Sequence, residues 1–400
     1  MSGYPLAGLK VLDLSRVLAG PVATQILADL GADVVKVERP GSGDDTRQWG
    51  PPFLGGDGPS AYFLSCNRGK RSLALDLKHP AAREIVDRLI GVADVLVENF
   101  LPDALSRYGL TPERLATLNP RLVSCSISGF GRTGPLADVA GYDLVTQAGT
   151  GLMSITGEPA GPPLKVGVAM SDILTGLYTV ISALAGLHGR GRDGLGGAFD
   201  LSLADCTLAS LVNVVQSALV TGERPQRWGN AHPQIVPYES FETADGFLVI
   251  AVGNDDQWRK MCAAIEHDDW AQDVRFRTNA DRVRHRSELL GLLRPVVRQR
   301  TRRHWQELLS TIGVPHGSVL AVDEALATPQ VAAREMILPV VDDQGRSYSV
   351  IGSAIHYQGE PPRTAQAPPE LGQHTDEVLR QWLTLDDVRI SQLREQGVIA

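Results

Sequence analysis

Residues Leu9–Arg39 read LKVLDLSRVLAGPVATQILADLGADVVKVER, and their pattern decides the fold. Leu9–Leu14 is an apolar run of strand length. Ser15–Gly20 turns the chain, and Pro21 suits the first turn of a helix, where a backbone N–H is not required. The helix ends at Gly31, a residue that accepts the left-handed conformation closing many helices. Ala32–Glu38 is a second apolar strand. Strand, helix and strand form one βαβ unit, the opening of a parallel sheet.

The turn SRVLAGP does not contain GxGxxG, so the usual dinucleotide fingerprint is absent. Arg39 follows the second strand, where an arginine accommodates a phosphorylated ribose. NADP and coenzyme A both carry such a ribose; a solvated arginine ending a strand is the alternative. The next loop, Pro40–Pro52, is rich in Gly and Pro and carries Arg47 and Trp49 as its large side chains. Arg47 has two readings. It forks onto a substrate carboxylate or phosphate, or it pairs with Asp44 or Asp45 and stiffens the loop.

The alternation continues outward. Ser72–Leu77 reads as a strand, Pro80–Ala93 as a helix and Asp94–Phe100 as a strand. Two short helices and the strand-into-loop Leu122–Gly131 follow. Asn99, Phe100 and Arg107 lie just past one strand end, the edge at which such sheets bind nucleotides. The expected fold is a large doubly wound, Rossmann-like α/β domain over residues 1–220, with a smaller α+β domain over 221–328. Residues 329–400 return to the large domain, with Pro361–Pro369 as an extended crossing segment. In the small domain Ala244–Gly246 turns a hairpin, and the arginine-dense helices are expected to present a solvated charged face.

The 400 residues carry a formal charge of −8, which argues against a general nucleic-acid binder. Cys66, Cys125, Cys206 and Cys262 are widely spaced, so neither a zinc site nor a disulfide framework is signalled. A cytoplasmic setting fits. No signal peptide and no unbroken apolar run of membrane-spanning length are read.

Lys165–Gly189, KVGVAMSDILTGLYTVISALAGLHG, is a short strand and turn leading into a long apolar helix with Asp172 at its start. Asp172 is either an N-cap or a carboxylate nucleophile held at a pocket mouth. As a cap it would stay ionised under the helix dipole.

Taken together, the motifs resemble the family III CoA-transferases. They run from GLKVLDLSRVLAGPVATQILADLGADVVKVERPGSGDDTR through VENF, NPRLVSCSISGFGRTGP and VGVAMSDILTGLY to LGQHTDEVL. The resemblance spans essentially the whole chain. It implies that Asp172 is the catalytic nucleophile. It implies coenzyme A contacts at Arg39, Leu75, Asn99, Phe100 and Arg107, with no permanently bound cofactor and no metal. It further implies ring-shaped subunits in an interlocked homodimer. GDDTRQWGPPF, RWGNAHPQIVPYESF and GLMSITG most resemble the branch acting on dicarboxylates, with succinyl-CoA as donor. Arg47, Trp49, Tyr142 and His232 are then the substrate-binding candidates. His232 also reads as a loop histidine bonded to backbone.

Three other readings are open. An acyl-CoA racemase of the same family carries His in a GHD triplet, whereas here the triplet is Gly141-Tyr142-Asp143, so one of the two bases is absent. An NADP-dependent oxidoreductase is weakened by the missing glycine fingerprint. A non-enzymatic CoA-binding paralogue is weakened by the retention of Asp172 and its motif.

Overall fold

The computed structural model describes residues 3–357 and 366–400. Part of the expected crossing segment Pro361–Pro369 lies outside them. The chain divides into two units. The first comprises Met1–Leu152, Lys165–Thr221 and Pro329–Ala400, the second Met153–Leu164 and Gly222–Thr328.

The first unit is built on β1 (Lys10–Asp13), α1 (Ala19–Asp29), β2 (Asp33–Glu38), α2 (Ala61–Cys66), β3 (Lys70–Ala74), α3 (Ala82–Val92) and β4 (Val95–Glu98). It continues through α4 (Pro102–Tyr108), α5 (Pro112–Leu118), β5 (Val123–Ser128), α6 (Asp143–Gly149), α8 (Met170–Asp193), β6 (Gly197–Ser202), α9 (Leu203–Ser210) and α10 (Val212–Thr221), while α7 (Leu152–Ile155), between α6 and α8 in the chain, falls mostly in the second unit. Six strands form one sheet in the order β3-β2-β1-β4-β5-β6. Every neighbouring pair is parallel. The order reverses between β1 and β4, so the loops leaving their carboxyl ends splay apart and open a crevice.

Both faces of the sheet are covered, which is why β1, β2 and β4 read as near-continuous apolar runs. Leu12, Val35, Leu73 and Leu96 pack beneath α3. Val11, Val34, Val95 and Val123 pack beneath α1 and α8. Asp13 and Lys36 interrupt the runs and face the α1 side. The register places them side by side. Asp13 is buried and bonded to Ser15, Thr24 and Lys70. Burial raises its pKa, yet the charges of Lys70 and Lys36 hold it at about 2.

β3 begins earlier than the sequence pattern suggests, at Lys70 rather than Ser72. The Lys70 ammonium is buried against Asp13, the Pro21 carbonyl and Asn67, so its charge hides a strand position.

After α16 (Val322–Leu326), which belongs to the second unit, the first unit resumes with α17 (Pro329–Ala333) and the antiparallel pair β10 (Ile337–Val341) and β11 (Ser347–Ile351). The helices α18 (Thr375–Leu383) and α19 (Asp387–Glu395) close the chain. α18 and α19 join the α3 core through Val378, Trp382, Ile390 and Leu393. Trp382 Nε1 donates to Asp33 at 2.8 Å.

α8 is long and apolar enough to cross a membrane by length and composition. It packs against α1, β5, β6, α6 and α9. Gly176 permits this: a Cβ there would lie 2.8 Å from the Ala19 carbonyl oxygen.

The second unit holds the antiparallel sheet of β7 (Tyr238–Thr243), β8 (Gly246–Ala251) and β9 (His316–Ser318). Its helices are α11 (Asp255–Ala264), α12 (Asp268–Gln272), α13 (Asn279–Arg284), α14 (Arg286–Arg298) and α15 (Arg302–Ile312). Its core gathers Phe241, Ile250, Trp258, Phe276, Leu289 and Trp305. Met153–Leu164, which the sequence pattern leaves in the large domain, groups with this unit. Arg227 donates to the carbonyls of Ser154, Glu158 and Gly161 within it. The arginine helices are not uniformly solvated. Arg282 is fully buried and bonds the Val236 and Phe276 carbonyls and Asp255.

Candidate active site

The crevice between the β1 and β4 ends is a groove of about 720 Å³. Its walls include Arg39, Leu75, Asn99, Phe100 and Arg107, so the fold gathers all five residues expected to contact coenzyme A. Arg16, Asp76, Lys78 and Tyr108 join them and were missed in the sequence. Their signal was positional: each sits within a few residues of a strand or helix end on this edge. Phe100 packs edge-on to Tyr108 with ring centroids 5.3 Å apart. Arg39 lies 3.7 Å from Asp45, which also pairs with Arg16 at 3.0 Å.

The β4 end braces the groove. Glu98 Oε2 accepts the Phe100 N–H at 2.8 Å. Glu98 Oε1 meets the Ser126 hydroxyl and the Arg132 guanidinium. Arg132 donates in turn to the Phe100 carbonyl at 3.2 Å. Both polar atoms of the Phe100 backbone are therefore held by one ion pair. Burial raises the Glu98 pKa despite Arg132. Asn99 uses its amide on the backbone of Arg16, accepting from its N–H and donating to its carbonyl.

Asp172 is the third residue of α8, not its cap; the N-cap position is Ala169 and no side chain of its own caps it. The cap comes from α6. Asp143 Oδ1 accepts the Ser171 N–H at 2.8 Å, and Gln147, held by Asp143 Oδ2, accepts the Val166 N–H. Among the described residues no hydrogen bond or cation engages the Asp172 carboxylate. Burial, then the charge of Asp143, pushes its pKa up to about 7. The expectation of a carboxylate kept ionised by the helix end is corrected: desolvation and the like charge of Asp143 raise its pKa.

Tyr62, on α2, senses the same field. Burial, then Asp172, pushes its phenol up to about 12, so it stays a protonated donor. Its ring meets Trp49 edge-on at 5.2 Å. Tyr62 was missed because an aromatic in an apolar helix carries no distinguishing pattern. Trp49 is 41% exposed, and Tyr142, at the N-cap position of α6, is 62% exposed.

Arg47 pairs with neither Asp44 nor Asp45. Its guanidinium forks onto both Glu38 oxygens at 2.7 Å, donates to the Pro369 carbonyl and lies over the Phe63 ring. Burial raises the Glu38 pKa, but Arg47 and Lys36 bring it below its ordinary value. His232 lies in the second unit. Its Nδ1 accepts the Gln234 N–H at 3.0 Å, which leaves Nε2 as the protonated nitrogen of the neutral ring. Among the described residues no cluster of three or more metal-ligating side chains occurs.

The model of CoA-transferase family III matches residues 6–375. The chain belongs to the family III CoA-transferases. It is 45% identical over 386 residues to the succinate–glutarate CoA-transferase of Agrobacterium fabrum, covering 96% of each chain. It is 41% identical over 395 residues to the human succinyl-CoA:glutarate CoA-transferase, covering 99% of this chain and 90% of that one. The crystal structure of a CAIB/BAIF family protein from Brucella suis superposes with a TM-score of 0.82 at 43% identity, covering 94% and 99% of the two chains. As a family III CoA-transferase, the chain is an enzyme that takes CoA thioesters as substrates. That gives the groove beside Arg39 and Arg107 its chemical context.

Proposed function

We propose that this enzyme moves coenzyme A from succinyl-CoA to a small dicarboxylate such as glutarate, with Asp172 as nucleophile. The carrying observation is an unpaired, half-buried carboxylate whose helix is capped by another residue. A raised pKa makes the carboxylate a stronger nucleophile once ionised. The Agrobacterium fabrum and human relatives described above are named for succinate or succinyl-CoA and glutarate, which supports the substrate pair.

Asp172 attacks the thioester carbonyl, and the C–S bond breaks to give an acyl-aspartyl anhydride and CoA thiolate. The thiolate attacks the aspartyl carbonyl, releasing the donor acid and leaving an aspartyl-CoA thioester. The acceptor carboxylate then attacks that thioester, forming a second anhydride and freeing the thiolate again. Attack of the thiolate on the acceptor acyl carbon gives the new acyl-CoA and restores Asp172. Each step exchanges one activated carbonyl for another, so the sequence is nearly isoenergetic. Water must be excluded while an anhydride exists. Correct positioning can supply about 7–11 kcal/mol of the barrier.

Arg39, Leu75, Asn99, Phe100 and Arg107 line the coenzyme A site in this reading, with Asn99 acting through the Arg16 backbone. Trp49, Tyr62 and Tyr142 border the acyl end. Arg47 braces Glu38, which moves the role of recognising the second carboxylate toward His232 Nε2. The subunit forms an interlocked homodimer, supported by apolar side chains on exposed faces of the first unit: Ile181 is 60% exposed and Leu219 74%. Four buried free thiols suit a reducing, cytoplasmic compartment.

The test is Asp172→Ala assayed with succinyl-CoA and glutarate. Transfer should be lost while coenzyme A still binds by calorimetry. Hydroxylamine added during turnover of the wild-type enzyme should mark residue 172. Retained turnover in the variant, or a mark elsewhere, ends the assignment.

A further inference from the structure

At the end of β1 the chain takes a path its residues do not favour. Val17 has φ +72°, a left-handed region in which a β-branched side chain is an outlier. Holding a residue there is costly and requires surroundings that over-determine it. Side chains from three other parts of the fold supply this. Lys36 Nζ donates to the Ser15 carbonyl at 2.8 Å. Asn99 grips the Arg16 N–H and carbonyl at 3.0 and 2.8 Å. The Asp44 carboxylate accepts the Val17 N–H at 3.3 and 3.4 Å. Lys36 and Asp44 are themselves fully buried and paired at 2.9 Å. Gly20 lets the loop close, since a Cβ there would fall 2.2 Å from Ser15 Oγ.

A buried ion pair is weak evidence for stability, because desolvation offsets the attraction. What Lys36 and Asp44 do is local: they face a loop that borders both halves of the site. Arg16 lines the groove. The Ala19 carbonyl abuts α8 at Gly176, one turn beyond Asp172.

We propose that Lys36, Asp44 and Asn99 are positioning residues that lock the Arg16–Leu18 peptides in this left-handed path. The lock sets the offset between the groove and the nucleophile helix, so that a thioester seated in the groove meets Asp172. The inference rests on the CoA-transferase reading above.

The strain and its restraint can be separated by chemistry at residue 17. Asp44→Asn weakens the grip on the Val17 N–H, and kcat for CoA transfer should fall by about tenfold or more, with KM for the acyl-CoA changing less. Adding Val17→Gly should restore most of that loss, because glycine adopts positive φ without cost. Adding Val17→Ala, which keeps a Cβ, should not. Asn99→Ala removes the two bonds to Arg16 and carries the same comparison should Asp44→Asn fail to fold. A second readout needs no turnover. At negative φ alanine is normally the more stabilising of the two residues, so Val17→Gly melting above Val17→Ala marks a strained position. The reverse melting order, or failure of glycine to rescue, overturns the proposal. Were the wild-type enzyme unable to move CoA at all, the functional reading would fall, and the melting order alone would judge the loop.

Discussion

Asp172 differs from an ordinary aspartate at a helix start in what it lacks. It does not cap α8 and among the described residues it meets no cation, and burial with the Asp143 charge places its pKa at about 7. The rate should therefore rise with pH along a limb near neutrality, read in kcat/KM for the acyl-CoA. Asp143→Asn keeps an acceptor for the Ser171 N–H but removes the like charge. The limb should move toward lower pH and the plateau should fall, since a less basic carboxylate attacks more weakly. The lost bond from Gln147 should cost about 1 kcal/mol of stability. An unmoved limb would show that Asp143 does not set the Asp172 titration. A stability prediction follows from the same shift. The folded chain holds the Asp172 proton more tightly than the unfolded chain, whose carboxyl titrates near 3.8. The contribution is complete below the unfolded pKa and is lost as pH rises through about 7. Asp172→Asn has no charge to desolvate, so its melting temperature should gain on wild type across that window. Sequence made the residue legible through its place before an apolar helix. It hid the electrostatics, because the capping carboxylate stands on another helix.

At the scale of elements, the end of β4 is a bracket. Glu98 and Arg132 grip the Phe100 backbone from below, while Asn99 reaches sideways to the β1 loop. Arg132→Met should leave the Phe100 peptide half-held and Glu98 buried without its cation. We expect KM for the acyl-CoA to rise about tenfold, near 1.4 kcal/mol, with kcat less affected and KM for the acceptor acid unchanged. Equal losses in all three parameters would indicate general unfolding instead. The strands β1, β2 and β4 were legible because a sheet buried on both faces writes near-continuous apolar runs, and β5 because its residues VSCSIS alternate in burial. The start of β3 was not, since Lys70 is satisfied by Asp13 on β1, across the intervening strand β2. Arg47 was misread for a related reason. Its partner, Glu38, is nine residues earlier, whereas Asp44 and Asp45 were nearer in the sequence.

At the scale of the whole molecule, the exposed apolar side chains of α8 and α10 are the least accounted for by a lone chain. Leu219→Glu should convert the proposed dimer to slower-sedimenting monomer and remove activity with it; a dimer that persists unchanged would clear this face of the interface. The two-unit organisation was partly legible, because the change from alternating strands and helices to a hairpin and helices is a change of period. The allegiance of Met153–Leu164 was not. It depends on carbonyl groups that accept from Arg227, and backbone acceptors leave no trace in residue identity. This split has a practical corollary for anyone recombining related genes. No single pair of crossover points excises the second unit alone: a cassette spanning 222–328 would leave its companion stretch in the host gene. Arg227 would then dock on the carbonyls of a segment whose side chains come from the other parent, so a chimera that exchanges both stretches together keeps the unit's own packing.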